Sequence, residues 1–303
     1  MDPAKSYFQY ESNAHLLVAG EDAADFLQSQ FTNDLRPFEA GRCTYGLWLD
    51  VKGKVLGDSI LLSEGEERFR ILSERSNEER ICSHLEKHII ADDVVIEVCP
   101  SVKVFEFLQV AVGALDWELP EFGHSLENEF GLFAQVRPGI FQLIVSEEDK
   151  LEAVELDLEQ AGLYGQDARE RGLIRIGIGL PQVPEEIGEG DLPGEGELES
   201  DAISFTKGCY LGQEVVARMH NIGKPQRRLF ELSGPGEVPP LPLILYNSEM
   251  KQIGELRTAY ADGDAWRGVG ILKTRFSQVG ECLQNKTIQA TVIKPLREGG
   301  HDE

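Results

Sequence analysis

The chain has 303 residues, 41% of them hydrophobic and 27% charged, enough for two or three packed cores. Asp and Glu number 53 against 29 Lys and Arg, a formal charge of −24. A field of that sign repels polyanions and anionic lipid heads, so nucleic-acid binding or membrane-surface binding driven by global charge is excluded.

No stretch approaches the roughly 20 apolar residues of a membrane span. The opening MDPAKSYFQYESNAHLLV lacks the layout of a secretion signal. The five cysteines, Cys43, Cys82, Cys99, Cys209 and Cys282, are scattered and form no CxxC pair, which argues against a zinc knuckle or a disulfide framework. The expected compartment is a reducing cytoplasm.

In chain order, HLLVAG reads as a strand. GEDAADFLQSQFTNDL reads as a helix, with Ala23, Leu27 and Phe31 recurring at i, i+4 and Phe26 widening the stripe. Thr32, Asn33 and Asp34 suit its end. TYGLWLDVKGKVLGDSILL predicts two strands joined at Lys52-Gly53, and FRILS continues the sheet. In SNEERICSHLEKHII, Ser76 and Glu79 have capping-box spacing, and Ile81, Leu85 and Ile89 line one helix face. DDVVIEV returns as a strand. KVFEFLQVAV and GIFQLIVS are strand-like. SEEDKLEAVELDLEQAGL predicts a helix with Ser146 as cap, Asp149 completing the box, Leu151, Val154 and Leu158 inward, and Gly162 as stop.

From Ile176 to Thr206 there is no Lys, Arg or His. PEEIGEGDLPGEGELESD lacks apolar periodicity and reads as a long solvated loop, a lid or linker rather than a metal cage. Beyond Pro225, RRLFELS, PLILY, IGELRTAY, WRGVGILK and TIQATVIKP are short strand-like runs, with an Asp-Gly turn inside ADGD, the texture of a small barrel or sandwich.

The chemistry concentrates in KGCYLGQEV, Lys207 to Val215. Leu211, Val215 and Met219 recur at helical spacing, so a helix starts near Gly212 with Cys209 and Tyr210 just before it. Free backbone N–H groups and the helix dipole favour anions there, and a thiol in that place is a candidate reactive group. Lys207, Arg218, His220, Lys224, Arg227 and Arg228 form a basic island that suits a carboxylate-bearing small molecule. The competing reading is a glycine-bounded turn around a cysteine packed as a small hydrophobe.

TKGCYLGQEVVARMHNIGKPQRRL resembles the signature of the YgfZ family of folate-binding proteins. FLQSQFTNDL, LDVKGKVLGD, RIGIGLP and the PGE ahead of KGCY follow in the family's order, so the likeness spans nearly the whole chain. The wider superfamily includes the glycine-cleavage T-protein, an aminomethyltransferase. The resemblance implies an α+β fold: a three-domain cloverleaf of antiparallel sheets with flanking helices, a C-terminal small β-barrel and a central ligand channel. The expected domains are residues 1–100 with 166–224, residues 101–165, and residues 225–303.

It further implies a tetrahydrofolate-binding accessory protein, supporting iron–sulfur protein maturation or repair and thereby tRNA modification. Tetrahydrofolate or a one-carbon derivative is the implied ligand. Iron–sulfur client or assembly proteins are the implied partners, with no direct nucleic acid and no membrane. Lys207, Gly208, Cys209, Tyr210, Gly212, Gln213 and Glu214 match the signature and are expected to wall the pocket. Asn33 and Asp34 match its TND turn, Glu195 its P-x-E position, and Arg218 joins the basic side chains for the folate carboxylates. Cys209 and Asp58 are the candidate catalytic residues. Asp58 stands where T-proteins carry an acidic pair, and Gly57 replaces the other acid. Gly177 stands where they carry the Glu of RxEAG, which would accept from the pterin N–H edge. Those departures count against the alternative, a folate-dependent aminomethyl or methyl transferase. A third reading is a ligand-free interaction protein whose acidic face binds basic partners.

His84 and His88, four apart, lack a third metal ligand nearby and read as a helix flank. Trp48, Trp117 and Trp266 read as core or rim aromatics.

Overall fold

The structure, a computed structural model, describes residues 2–223, 225–285 and 288–297. The chain divides into two compact units. One comprises Met1–Val51, Leu56–Asp167 and Asp201–Gln213; the other comprises Lys52–Val55, Ala168–Ser200 and Glu214–Glu303.

The first unit carries two sheets. The five-stranded sheet runs Cys43–Leu49, Val55–Ser63, Arg68–Ser73, Ala14–Ala19, Val95–Val98. Helices Ala23–Gln30 and Glu78–Glu86 bury Ala23, Leu27, Ile81 and Leu85 in one core with Leu16, Trp48 and Ile71. This is the i, i+4 stripe of the sequence meeting the inward face of alternating strands. The six-stranded sheet runs Tyr164–Gly165, Ser6–Glu11, Lys103–Leu108, Ile140–Val145, Leu132–Arg137, Ser125–Glu127. It is antiparallel except where Ser6–Glu11 meets Tyr164–Gly165 in parallel. Helix Leu151–Gln160 packs Val154 and Leu158 against Phe105, Phe107 and Phe141.

The second unit holds a closed barrel ordered Arg227–Pro235, Ala265–Lys273, Gln252–Asp262, Leu243–Tyr246, Cys282–Gln284, Gln289–Pro295. The last strand pairs back with the first, so no edge is left to aggregate. Trp266, Phe230, Leu232 and Val292 fill its interior. The Asp-Gly turn forms as expected: Asp262 pairs with Ala265 across Gly263, whose φ is 64°. Thr287, counted in the last strand-like run, lies outside the described residues.

Three local expectations are corrected. Asn77, not Ser76, caps the second helix by accepting from the Arg80 N–H at 2.9 Å, because Ser76 is engaged with Asp58. Ser146 caps nothing: a short 3₁₀ turn, Glu148–Lys150, precedes the helix at Leu151. The Glu-rich segment is not a solvated loop. It folds into the turns Pro193–Gly196 and Glu199–Ala202 and buries Glu186, Asp191 and Glu195.

Arginines of the same unit neutralise those carboxylates. Arg175 grips Glu186 through both Nη atoms, at 2.8 and 2.5 Å. Thr258 also donates to Glu186, and the Gln182 N–H donates at 2.9 Å. Arg257 and Arg227 share Asp191, and Arg227 reaches both oxygens of Glu195, at 2.7 and 2.8 Å. A buried carboxylate persists only when its oxygens are paired in this way.

Candidate functional site

In the first unit the signature loop is anchored from below by its lysine. Lys207 is 7% exposed, and its Nζ donates to the carbonyls of Phe31 and Asn33, each at 2.8 Å. These carbonyls lie just past the end of helix Ala23–Gln30, where the backbone has no intrahelical partner to offer them. Burial pushes the ammonium down to about 7. Lys207 thus ties KGCY to the TND turn instead of facing solvent. Tyr210 is buried with its ring 5.5 Å from Lys207 Nζ. The Leu211 N–H donates to the Ser29 carbonyl at 3.0 Å. Gly208 and Cys209 are exposed between these anchors. Gly212, at φ 83°, makes the sharp turn into the helix Gln213–Ile222.

The TND turn connects onward. Thr32 donates to the Ala202 carbonyl and accepts from the Leu47 N–H, at 2.7 and 2.8 Å. Asn33 donates through Nδ2 to the carbonyls of Tyr45 and Asp201, at 2.9 and 3.3 Å. Asp34 accepts from Gln28 Nε2 at 2.7 Å.

Tyr45 leads to Asp58. Its hydroxyl donates to Asp58 Oδ2 at 3.0 Å. Ser76 Oγ donates to Oδ1 at 2.8 Å and accepts from the Asp58 N–H at 2.9 Å, so its single proton is directed at the carboxylate. Burial raises the Asp58 carboxyl to about 6, against the opposing pull of those two hydroxyls and of Arg137. The Arg137 guanidinium lies 4.2 Å over the Tyr45 ring, and its Nη2 donates to Asp201 Oδ2 at 2.7 Å. Burial and the Asp58 charge together raise the Tyr45 phenol well above its ordinary value, so it is a dependable donor.

Lys207, Asn33 and Asp58 are therefore joined, through Tyr45, into one hydrogen-bonded chain. Tyr45, Arg137 and Asp201 escape the sequence reading, which offers Ser76 only as a helix cap. Their partners lie 13 to 64 residues away, and no spacing rule connects a strand tyrosine to a distant arginine.

Gly57 has a steric reason beside Asp58. A Cβ there would come within 2.8 Å of Ser76 Oγ and 2.9 Å of its Cβ, so Ser76 occupies the space a side chain would need. Of the remaining expected residues, Glu195, Glu214 and Arg218 belong to the second unit. Glu195 is engaged by Arg227 and the Leu192 N–H. Glu214 and Arg218 are exposed on the helix after Gly212. Gly177, the last residue of helix Ala168–Gly177, faces open space. Lys224 lies outside the described residues.

His84 packs its ring against His88 and Trp48 rather than reaching a third ligand. Among the described residues, no three His, Cys, Asp or Glu side chains gather as a metal site, and no helix is long and apolar enough to cross a membrane.

Residues 5–110 match the family of the GCVT N-terminal domain. The chain is 27% identical over 228 residues to the tRNA-modifying protein YgfZ of Aliivibrio fischeri strain MJ11, covering 75% of this chain and 70% of that protein. It is 28% identical over 229 residues to the protein of the same name from Yersinia pestis strain Pestoides F, covering 73% and 68%. The chain is a relative of the YgfZ proteins with a GCVT N-terminal domain. Its fold is that of the glycine cleavage system aminomethyltransferase T from Bartonella henselae, with a TM-score of 0.77 at 18% identity over 98% of this chain and 88% of the other. Three sheets, the closed C-terminal barrel and the flanking helices all agree with the α+β expectation.

Proposed function

We propose that this protein binds tetrahydrofolate, or a one-carbon derivative of it, and acts as an accessory factor in iron–sulfur protein maturation or repair, through which tRNA modification is sustained. The observation that carries the reading is the carboxylate of Asp58, half-buried and clamped by two hydroxyl donors inside the GCVT domain. Each of its oxygens accepts one O–H and keeps further lone-pair capacity, the acceptor a reduced pterin's N–H edge requires. Glu195 fits that edge less well, since Arg227 and Leu192 already use both its oxygens. The exposed Cys209 supplies the contact group for iron–sulfur clients, and its exposure supports that assignment over a buried packing role. The tRNA-modifying name of the YgfZ relatives supports the downstream outcome.

Calorimetric titration with 5-formyltetrahydrofolate tests the ligand. Binding heat and a raised Tm are expected for the wild type, with affinity falling about tenfold or more in Asp58→Asn. Absence of heat and of any thermal shift at millimolar ligand removes the folate reading. Cys209→Ser is expected to bind the ligand normally yet fail to restore iron–sulfur enzyme activity in cells lacking a YgfZ protein.

The transferase alternative is favoured by one observation, a carboxyl titrating near 6 and thus able to hold or release a proton close to neutral pH. Turnover of an aminomethyl donor with tetrahydrofolate, lost in Asp58→Asn, would replace the accessory reading.

A further inference from the structure

Arg137 is 8% exposed, at the end of strand Leu132–Arg137. A planar guanidinium usually consumes two N–H groups on one carboxylate. Here Asp201 takes only Nη2, and the buried Nε–H meets no acceptor among the described residues. Buried N–H donors are left unpaired rarely enough that each calls for a reason. The guanidinium is not adrift: it is stacked 4.2 Å over the Tyr45 ring, whose hydroxyl sits 3.0 Å from Asp58 Oδ2. Its position is thus set by two neighbours while part of its donor capacity stays unspent, near enough to Asp58 for the two charges to interact, and the Asp58 carboxylate keeps acceptor capacity of its own.

We infer that Arg137 is a ligand-binding residue of the Asp58 site, donating to an acceptor oxygen that neighbours the N–H groups taken by Asp58, so that the two side chains together read an amide-like ring edge. An acceptor-only carboxylate next to a donor-only guanidinium is complementary to a heterocycle presenting N–H and C=O side by side. A 2-amino-4-oxo pyrimidine ring has that edge. A 2,4-diamino ring does not: it places N–H where the oxygen would be and sets donor against donor. A lysine at 137 would keep the charge and lose the fork.

The inference rests on the folate reading above, and its test separates the two. Calorimetry compares tetrahydrofolate with its 4-amino analogue, tetrahydroaminopterin, on wild type, Arg137→Lys and Arg137→Gln. The wild type is expected to favour the 4-oxo ligand by about tenfold or more, and both variants to lose that preference. An unchanged preference in the variants, or equal weakening of both ligands as a purely structural role would give, overturns the assignment and leaves the folate reading intact. A wild type that binds neither ligand overturns both. Should the variants fail to fold, arginine-labelled wild type provides the reading. The Nε resonance of Arg137 is expected to move on saturation with tetrahydrofolate and to stay in place with tetrahydroaminopterin. A resonance that ignores tetrahydrofolate refutes the contact.

Discussion

Lys207→Met probes the anchor under the signature loop. The wild-type Nζ donates to two carbonyls at 2.8 Å, and a neutral amine still has an N–H for each of them. The proton can therefore leave with both bonds kept, and burial, the leading cause, pushes the ammonium from 10.5 down to about 7. Between those two values the unfolded chain binds more protons than the folded one, so stability rises with pH. The whole burden is present below pH 7 and is relieved toward pH 10.5; it amounts to on the order of 4 to 5 kcal/mol. Methionine carries no proton, so its loss of two carbonyl partners, about 1–3 kcal/mol each, is the same at every pH. The stability advantage of wild type over Lys207→Met is expected to widen by about 1 kcal/mol per pH unit from pH 7.5 to 9.5. Urea unfolding followed by tryptophan fluorescence at fixed ionic strength measures it. Trp48, its ring tilted against Phe31 at 4.8 Å, reports on the same core. Parallel stability curves across that range would show that the amine does not enter the fold under a charge burden, and the reasoning would fail.

The remaining predictions concern the carboxylates and glycines. Asp58 is raised by burial from 3.8 to about 6, so it lowers stability above pH 6 and that cost disappears as pH falls toward 3.8. Asp58→Asn is accordingly expected to raise the urea midpoint at pH 7.5 and to leave it nearly unchanged at pH 4, while affinity for 5-formyltetrahydrofolate in the wild type declines below pH 6 as the acceptor takes up a proton. Gly57→Ala forces its Cβ onto Ser76 and is expected to cost about 1–3 kcal/mol by denaturant titration, part of which Ser76→Gly restores. Gly177→Ala meets nothing within 4 Å at a helix end and is expected to be neutral or to stabilise by up to about 1 kcal/mol in the same assay. Glu186→Gln strands the buried Arg175 and is expected to cost about 3–5 kcal/mol, read as a loss of Tm.

Where a signal is local, the amino-acid sequence by itself determined the outcome. Ala23 and Leu27 share a helix face because side chains four apart meet the same core, and Phe31, extended just past the helix end, drops into that core too. The Asp-Gly pair turns the barrel hairpin because glycine alone takes that backbone freely. Gly212 starts the next helix within a few residues of Cys209, as the helical spacing of Leu211, Val215 and Met219 required, whereas the sequence leaves the exposure of Cys209 itself open between two readings. Tertiary structure alone decided which polar groups are spent and which stay available. Ser76 has the spacing of a cap, yet its hydroxyl is taken by a carboxylate 18 residues away. The Glu-rich segment has the composition of a solvated loop, yet arginines as far as 66 residues off draw its carboxylates inside. Lys207, an apparent surface cation, points inward at carbonyls 174 and 176 residues earlier. Composition cannot register such pairings, because the free energy of a buried charge depends on the partner that the fold brings to it.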